Sequence, residues 1–205
     1  MKEDKSELEK IWIGKFGDAW VDRCRATPEL FAAHLTVFRD MLRRVESVES
    51  VCELGVSYGL NMMILHTLLP HVELTGVEIN HKAAEMLAQL PYVTAIESSV
   101  YQTQLTGQYD MVLSKGVAVC QDGEKLEEYY QILYSLSKRY IVLCEYYNPT
   151  PVKVQHREAW LYKRDFPGEM MDRYPDLKLL DYGFQYHRDY LFPVDDFNWF
   201  VLEKR

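Results

Sequence analysis

Val51-Cys52-Glu53-Leu54-Gly55-Val56-Ser57-Tyr58-Gly59-Leu60-Asn61 is the stretch on which the fold turns. A short apolar run, residues 50–54, stops at a glycine, and a second glycine follows just before an apolar segment of helical length (60–69) closed by Pro70. Gly55 permits a sharp turn and a close approach to a ligand, where a Cβ would collide. Gly59 stands where the helix begins, so the unpaired N–H groups of its first turn face whatever lies above the strand. Strand, glycine turn and helix in this order open a parallel α/β sheet.

Working outward, the alternation continues. Residues 72–79 read as a second strand, 82–90 as a helix closed by Pro91, 93–97 and 109–113 as two more strands, 124–137 as an amphipathic helix and 140–145 as a fifth strand. Pro149 and Pro151 begin an irregular stretch that runs to about residue 167, with a short helix over 168–174. Two strands, 177–186 and 197–203, then follow with no helix between them. Their connection is shorter than the dozen or so residues a parallel crossover requires, so they pair antiparallel. Upstream lie helices at 5–13 and 17–24, broken at 14–16, and a third that starts at Thr27-Pro28 and ends near Arg44. The expectation is one domain over 1–205. A helical cap (1–46) precedes a Rossmann-like α/β core (47–205) with a seven-stranded, mostly parallel sheet and an antiparallel C-terminal strand.

Composition narrows the function. Of 205 residues, 48% are hydrophobic and 26% charged, proportions of a folded core. A net charge of −8 disfavours unassisted contact with nucleic acid or an anionic membrane, so a small-molecule substrate is expected instead. Cysteines at 24, 52, 120 and 144 show no CxxC and no metal-ligand spacing; they read as reduced thiols, with no metal expected. The amino terminus is charged and helical in character, not a signal peptide, and no apolar run approaches the ~20 residues of a membrane helix. A soluble, cytoplasmic protein is expected.

The E-x-G-x-x-x-G run and the closing antiparallel pair resemble class I S-adenosylmethionine-dependent methyltransferases. The resemblance implies that Glu53 receives the cationic amino group of the methionine moiety and that Asn61 bonds nearby backbone or cofactor atoms. In Gly76-Val77-Glu78-Ile79-Asn80, Glu78 can accept the ribose hydroxyls while Ile79 packs on the adenine. Nicotinamide enzymes also place an acid there, but their glycines are spaced G-x-G-x-x-G. Ser99 and Val100 fall where the adenine edge is held, and Lys115 passes beside the methionine end. Trp12, Phe16 and Trp20 can close over the cofactor, dock by hydrophobic contact, or form a homodimer contact.

Over nearly its whole length the chain also resembles the pseudaminic acid biosynthesis-associated methylase family. The blocks that carry this run from Ile11-Trp12-Ile13-Gly14-Lys15-Phe16-Gly17-Asp18 through Glu145-Tyr146-Tyr147-Asn148-Pro149 and Lys163-Arg164-Asp165-Phe166-Pro167-Gly168 to Tyr186-His187-Arg188-Asp189 and Asp195-Asp196-Phe197-Asn198-Trp199-Phe200. The resemblance implies methyl transfer to a nonulosonic-acid or nucleotide-sugar intermediate in small-molecule biosynthesis. Two departures stand out. Val56-Ser57-Tyr58 replaces smaller residues in the glycine turn, and Val119-Cys120-Gln121 replaces a histidine-bearing stretch, which weakens any role for a base at 120.

In open α/β sheets ligands bind outside the carboxyl ends of the strands. That rule puts Glu145 and Tyr147, at the end of the fifth strand, over the transferred methyl group. Glu145 is the first candidate for contact with the acceptor; its alternative is an ion pair with Arg139 or Lys163. His187 is the preferred base, because His34, His66 and His71 fall on helices or their ends. Asp165 and Glu169 flank a lid at 163–168. Glu145, His187, Tyr147 and Asp165 are therefore the catalytic candidates.

Two acceptor classes stay open, and with them O- and N-methylation. Lys163, Arg164 and Arg157 suit the phosphates of a nucleotide sugar. Glu145, Asp165, Glu169, Asp195 and Asp196 suit an amino or guanidino metabolite such as free arginine. A cofactor-binding, non-catalytic partner is a reading of another kind, against which the intact Gly55, Gly59 and Glu78 argue.

Overall fold

The computed structural model describes residues 5–24, 26–105, 107–121, 123–156 and 159–205. Helices α1 (Glu7–Ile13), α2 (Lys15–Arg23) and α3 (Pro28–Leu42) come first. The alternating part follows as β1 (Ser50–Leu54), α4 (Leu60–Leu68), β2 (Glu73–Glu78), α5 (His81–Leu87), β3 (Val93–Glu97), β4 (Tyr109–Lys115), α6 (Gly123–Leu136) and β5 (Ser137–Glu145). The chain closes with β6 (Val152–His156), β7 (Ala159–Lys163), α7 (Phe166–Arg173), β8 (Leu177–Gln185) and β9 (Phe197–Lys204).

Seven strands form one sheet in the order β3-β2-β1-β4-β5-β9-β8. The first five are mutually parallel, and β9 lies antiparallel to both β5 and β8, as the short connection between β8 and β9 requires. Strand order reverses between β1 and β4, which opens a crevice at their carboxyl ends. Both faces of the central strands are buried, while the edge strand β8 leaves Leu179, Tyr182 and Phe184 exposed. Val51, Leu74, Met111, Val142 and Trp199 pack on one side with α3, α4 and α5, while Cys52, Leu54, Val77, Val112 and Ile141 pack on the other with α6 and α7.

One stretch differs from its sequence reading. Residues 149–167, expected to be irregular, contain the antiparallel hairpin β6–β7, with Val154 opposite Leu161 and Gln155 opposite Trp160. Pro149 and Pro151 sit before the hairpin and leave its ladder intact. Helix α7 starts at Phe166, two residues before the expected start, because the Asp165 side chain caps it by accepting the Gly168 N–H at 2.9 Å. Among the described residues no helix is long and apolar enough to cross a membrane.

The helical cap is fastened to the carboxyl edge of the sheet. Ser6 and Glu9 form a reciprocal capping box at the start of α1, and Gly14 alone joins α1 to α2. The Asn80 side-chain amide, at the head of α5, donates to the Trp12 carbonyl (3.0 Å) and to Asp18 (2.9 Å). At the far end of α3, Arg43 forks onto the buried Asp181 of β8 at 2.6 and 2.8 Å and holds that carboxyl below its ordinary range. Gly17 is where α1 and α2 meet most closely: a Cβ there would lie 1.8 Å from the Trp12 carbonyl oxygen. Gly17→Ala should therefore cost about 1–3 kcal/mol in chemical denaturation. Gly123→Ala, with no neighbour within 4 Å, should stay within about 0.5 kcal/mol of the parent.

Candidate active site

Two carboxylates define the crevice. Glu53 sits in β1 with no exposure, and one of its oxygens accepts the Asn61 amide at 2.5 Å. Its other oxygen, Oε2, is buried without a hydrogen-bond partner. Burial lifts this carboxyl to about 8, against the opposing pull of Asn61 and of the Lys115 ammonium. Glu78, at the end of β2, accepts the Ser57 N–H on one oxygen and the Asn80 N–H on the other, each at 2.7 Å. Each oxygen keeps a lone pair free of those bonds.

The glycine turn is built around these acids. Gly55 and Gly59 have φ of 72° and 95°, and Ser57, though not glycine, also sits at 54°, which aims its N–H at Glu78. A Cβ on Gly55 would come 2.5 Å from Val117, so that glycine makes room for the neighbouring loop as well as for a ligand. The bulkier Val56-Ser57-Tyr58 turn is accommodated from β2: Gly76 lacks the Cβ that would meet Val56 at 2.9 Å.

Other cofactor candidates fall around the same rim. Ile79 is half-exposed beside Glu78. The buried Ser99 donates to Glu9 of α1, tying the cap to the end of β3. Trp12 packs edge-on against Phe16 (5.3 Å) and Trp20 (5.9 Å), so this aromatic cluster belongs largely to the cap's own packing. Lys115 ends β4 with its ammonium 5.2 Å from the Phe197 ring and forms no ion pair among the described residues. Val100 instead lines a cavity of about 320 Å³ along α6 with Leu105, Ile132 and Leu136; none of its lining comes from the glycine turn.

The four catalytic candidates do not converge on one site. Glu145 was expected over the methyl group and is instead 1% exposed. Its carboxylate accepts Ser114 Oγ (2.8 Å) and the N–H groups of Val117, Ala118 and Val119 (3.0–3.2 Å), clamping the loop after β4. Nor does it pair with Arg139, which forks onto Glu203. Burial raises Glu145 to about 7. Asp165 is spent as the cap of α7, and it shares with the 37%-exposed Tyr147 a separate cavity of about 320 Å³ bordered by Met171, Tyr182 and Phe200. His187 is half-exposed and bonded to Asp196 at 2.8 Å. Arg157 lies outside the described residues.

Sequence reasoning passed over His34. It lies in the buried stripe of α3, and its Nδ1 is 3.0 Å from the Leu30 carbonyl. A carbonyl only accepts, so Nδ1 carries the hydrogen and Nε2 keeps its lone pair. Burial and the Lys115 charge push this imidazole down to about 4, opposed by Asp195. Asp195 in turn accepts the Tyr146 hydroxyl at 2.9 Å. The sequence signal was there: a single polar side chain in an otherwise apolar helical stripe.

Strand order, glycine turn and paired acids define the class I methyltransferase fold. Among solved structures, magnesium protoporphyrin IX methyltransferase from Synechocystis PCC 6803 with bound S-adenosylmethionine is similar over 100% of both chains, at 14% identity and TM-score 0.66. A Leishmania major S-adenosylmethionine-dependent methyltransferase of the DUF858 family is similar over 97% of this chain and 87% of its own, at 14% identity and TM-score 0.71. The plantazolicin methyltransferase BpumL, in complex with S-adenosylhomocysteine and a desmethyl plantazolicin analogue, is similar over 97% and 95%, at 15% identity and TM-score 0.64. No family model and no curated protein matches the chain.

Glu53 makes a pH prediction. Its carboxyl ordinarily titrates at 4.5 and stands at about 8 when folded, so the folded chain holds a proton that the unfolded chain has released. Stability therefore falls as pH rises from about 4.5 to 8, by roughly a few kcal/mol from this group. Glu53→Gln should remove that part of the slope and raise the melting temperature of the cofactor-free protein at pH 8. An unchanged slope in pH-dependent denaturation would contradict this.

Proposed function

We propose that the chain is an S-adenosylmethionine-dependent methyltransferase acting on a small molecule. One observation carries the reading: the buried, unpartnered Oε2 of Glu53, with the unpaired Lys115 ammonium acting on the same carboxylate. An acid with one oxygen free and a cation with no ion pair among the described residues suit a zwitterionic amino-acid group, its ammonium on Glu53 and its carboxylate toward Lys115. The free lone pairs of Glu78 suit ribose hydroxyls, and the half-exposed Ile79 suits an adenine face. A nicotinamide dinucleotide offers no ammonium to draw Glu53 into its charged form.

When bound, the cofactor supplies an electrophilic methyl group on a sulfonium. The protein's part is to bind and orient the two reactants and to exclude water. Glu145 holds the loop after β4 against Gly55, and Asn80 and Ser99 hold the helical cap over the same edge.

For the acceptor, the acidic residues that favoured a cationic metabolite are dispersed. Glu145 is buried in its loop, Asp165 caps α7, Glu169 pairs with Arg164 at 2.7 Å and Asp196 with His187. Lys163 makes no ion pair among the described residues and stands 5.1 Å from the Tyr146 ring. This supports an acceptor without a guanidinium, such as the nonulosonic-acid intermediate that the sequence resemblance implies, over free arginine.

Calorimetric titration should show micromolar binding of S-adenosylhomocysteine and none of NADH. Glu78→Ala should weaken that binding about tenfold or more, the value of one or two hydrogen bonds. No binding, or preference for NADH, overturns the cofactor assignment. Labelled methyl transfer from S-adenosylmethionine to a nonulosonic acid and not to arginine is the expected outcome for the acceptor; the reverse would restore the cationic reading.

A further inference from the structure

His34 occupies a position that packing alone does not explain. It shares the inward stripe of α3 with Ala33, Val37, Phe38 and Met41, all of them apolar. The chain leaving α3 at Leu42 enters β1 at Ser50, where the Glu49 and Ser50 N–H groups donate to Asp110 at the start of β4. The carboxyl-terminal end of α3 lies toward the amino edge of the sheet. His34, nine residues earlier, therefore stands about 13 Å toward the carboxyl edge, where the crevice opens. The same placement follows from its electrostatic neighbours, Lys115 at the end of β4 and Asp195 just before β9.

The imidazole arrives with one nitrogen committed. Nδ1 donates to the Leu30 carbonyl, so the neutral ring is held in a single tautomer with the Nε2 lone pair free. Nε2 has no partner among the described residues, and it is not one of the fully enclosed unpartnered atoms. Asp195, anchored by the Tyr146 hydroxyl, stands ready to balance a charge on the ring, while Lys115 keeps it neutral beforehand.

We propose that His34 Nε2 faces the methyl-transfer pocket and accepts the proton of the acceptor's nucleophilic hydroxyl or amine. This rests on the methyltransferase reading above. As the acceptor's lone pair bonds the methyl carbon, the sulfur keeps the electron pair of the broken carbon–sulfur bond and the acceptor's proton passes to Nε2. The imidazolium is compensated by Asp195 and returns the proton to water once product leaves.

The test needs no acceptor. The intact protein is treated with diethyl pyrocarbonate, which modifies unprotonated imidazole nitrogens, and each histidine peptide is followed by mass spectrometry. Three samples are compared: free protein, protein with S-adenosylhomocysteine and protein with S-adenosylmethionine. His34 should be modified in the free protein and protected about tenfold or more by saturating S-adenosylmethionine. S-adenosylhomocysteine, which lacks the methyl group, should protect it less, and the surface His187 should react alike in all three. If calorimetry shows that S-adenosylhomocysteine does not bind, the methyltransferase reading fails. If it binds while His34 stays unreactive until the protein unfolds, or reacts equally with and without cofactor, His34 is a packed core histidine and this inference alone is overturned. Protection of His187 in place of His34 overturns it too, and moves the base to the end of β8.

Discussion

Holding a carboxylate in the core with one oxygen unpaired is expensive, of the order of several kcal/mol for an ion without a partner. Glu53 is held that way by β1, the strand that opens the parallel sheet, and among the described residues only Asn61 of the following helix donates to it. A chain selected only for stability would place an apolar residue there. Its pKa of about 8 means that the cofactor-free site is in large part protonated at neutral pH, and a ligand cation would draw the group back to its charged form. The strained Ser57, the inward Glu78 and the bare Gly55 are arranged about the same crevice.

Around that crevice the structure uses polar bonds between elements far apart in sequence to fix loops that would otherwise be free. Glu145 supplies acceptors for three successive backbone N–H groups and a serine, so the loop after β4 keeps one shape. Asn80 caps its own helix and grips the α1–α2 corner at once. Glu9 closes a capping box on one oxygen and takes the Ser99 hydroxyl on the other. The walls of the crevice are in this way set before any ligand enters, which lowers the ordering cost of binding.

The sheet was legible because its signals are local. Apolar strands, glycine turns and proline-closed helices recur in order, and the short link between β8 and β9 dictated their antiparallel pairing. The positions of Glu53 and Glu78 at the ends of the first two strands were legible for the same reason. The catalytic candidates were not. Glu145 falls at the right strand end, yet its side-chain direction depends on a loop near residue 117 that folds back to meet it. Asp165 looked like a lid residue because residues 149–167 gave no clear period, and the hairpin there is recognisable only once Val154 is seen opposite Leu161. His34 was set aside for lying on a helix. That location says nothing about which nitrogen is free, a matter decided by the Leu30 carbonyl one turn earlier.

The most direct test of the central claim is a crystal structure of the protein grown with S-adenosylhomocysteine. The ligand is expected in the crevice between β1 and β4, with its amino nitrogen on Glu53 Oε2 and its ribose hydroxyls on Glu78. A ligand bound elsewhere, or in that crevice with its amino group away from Glu53, would contradict the role given to the buried carboxylate.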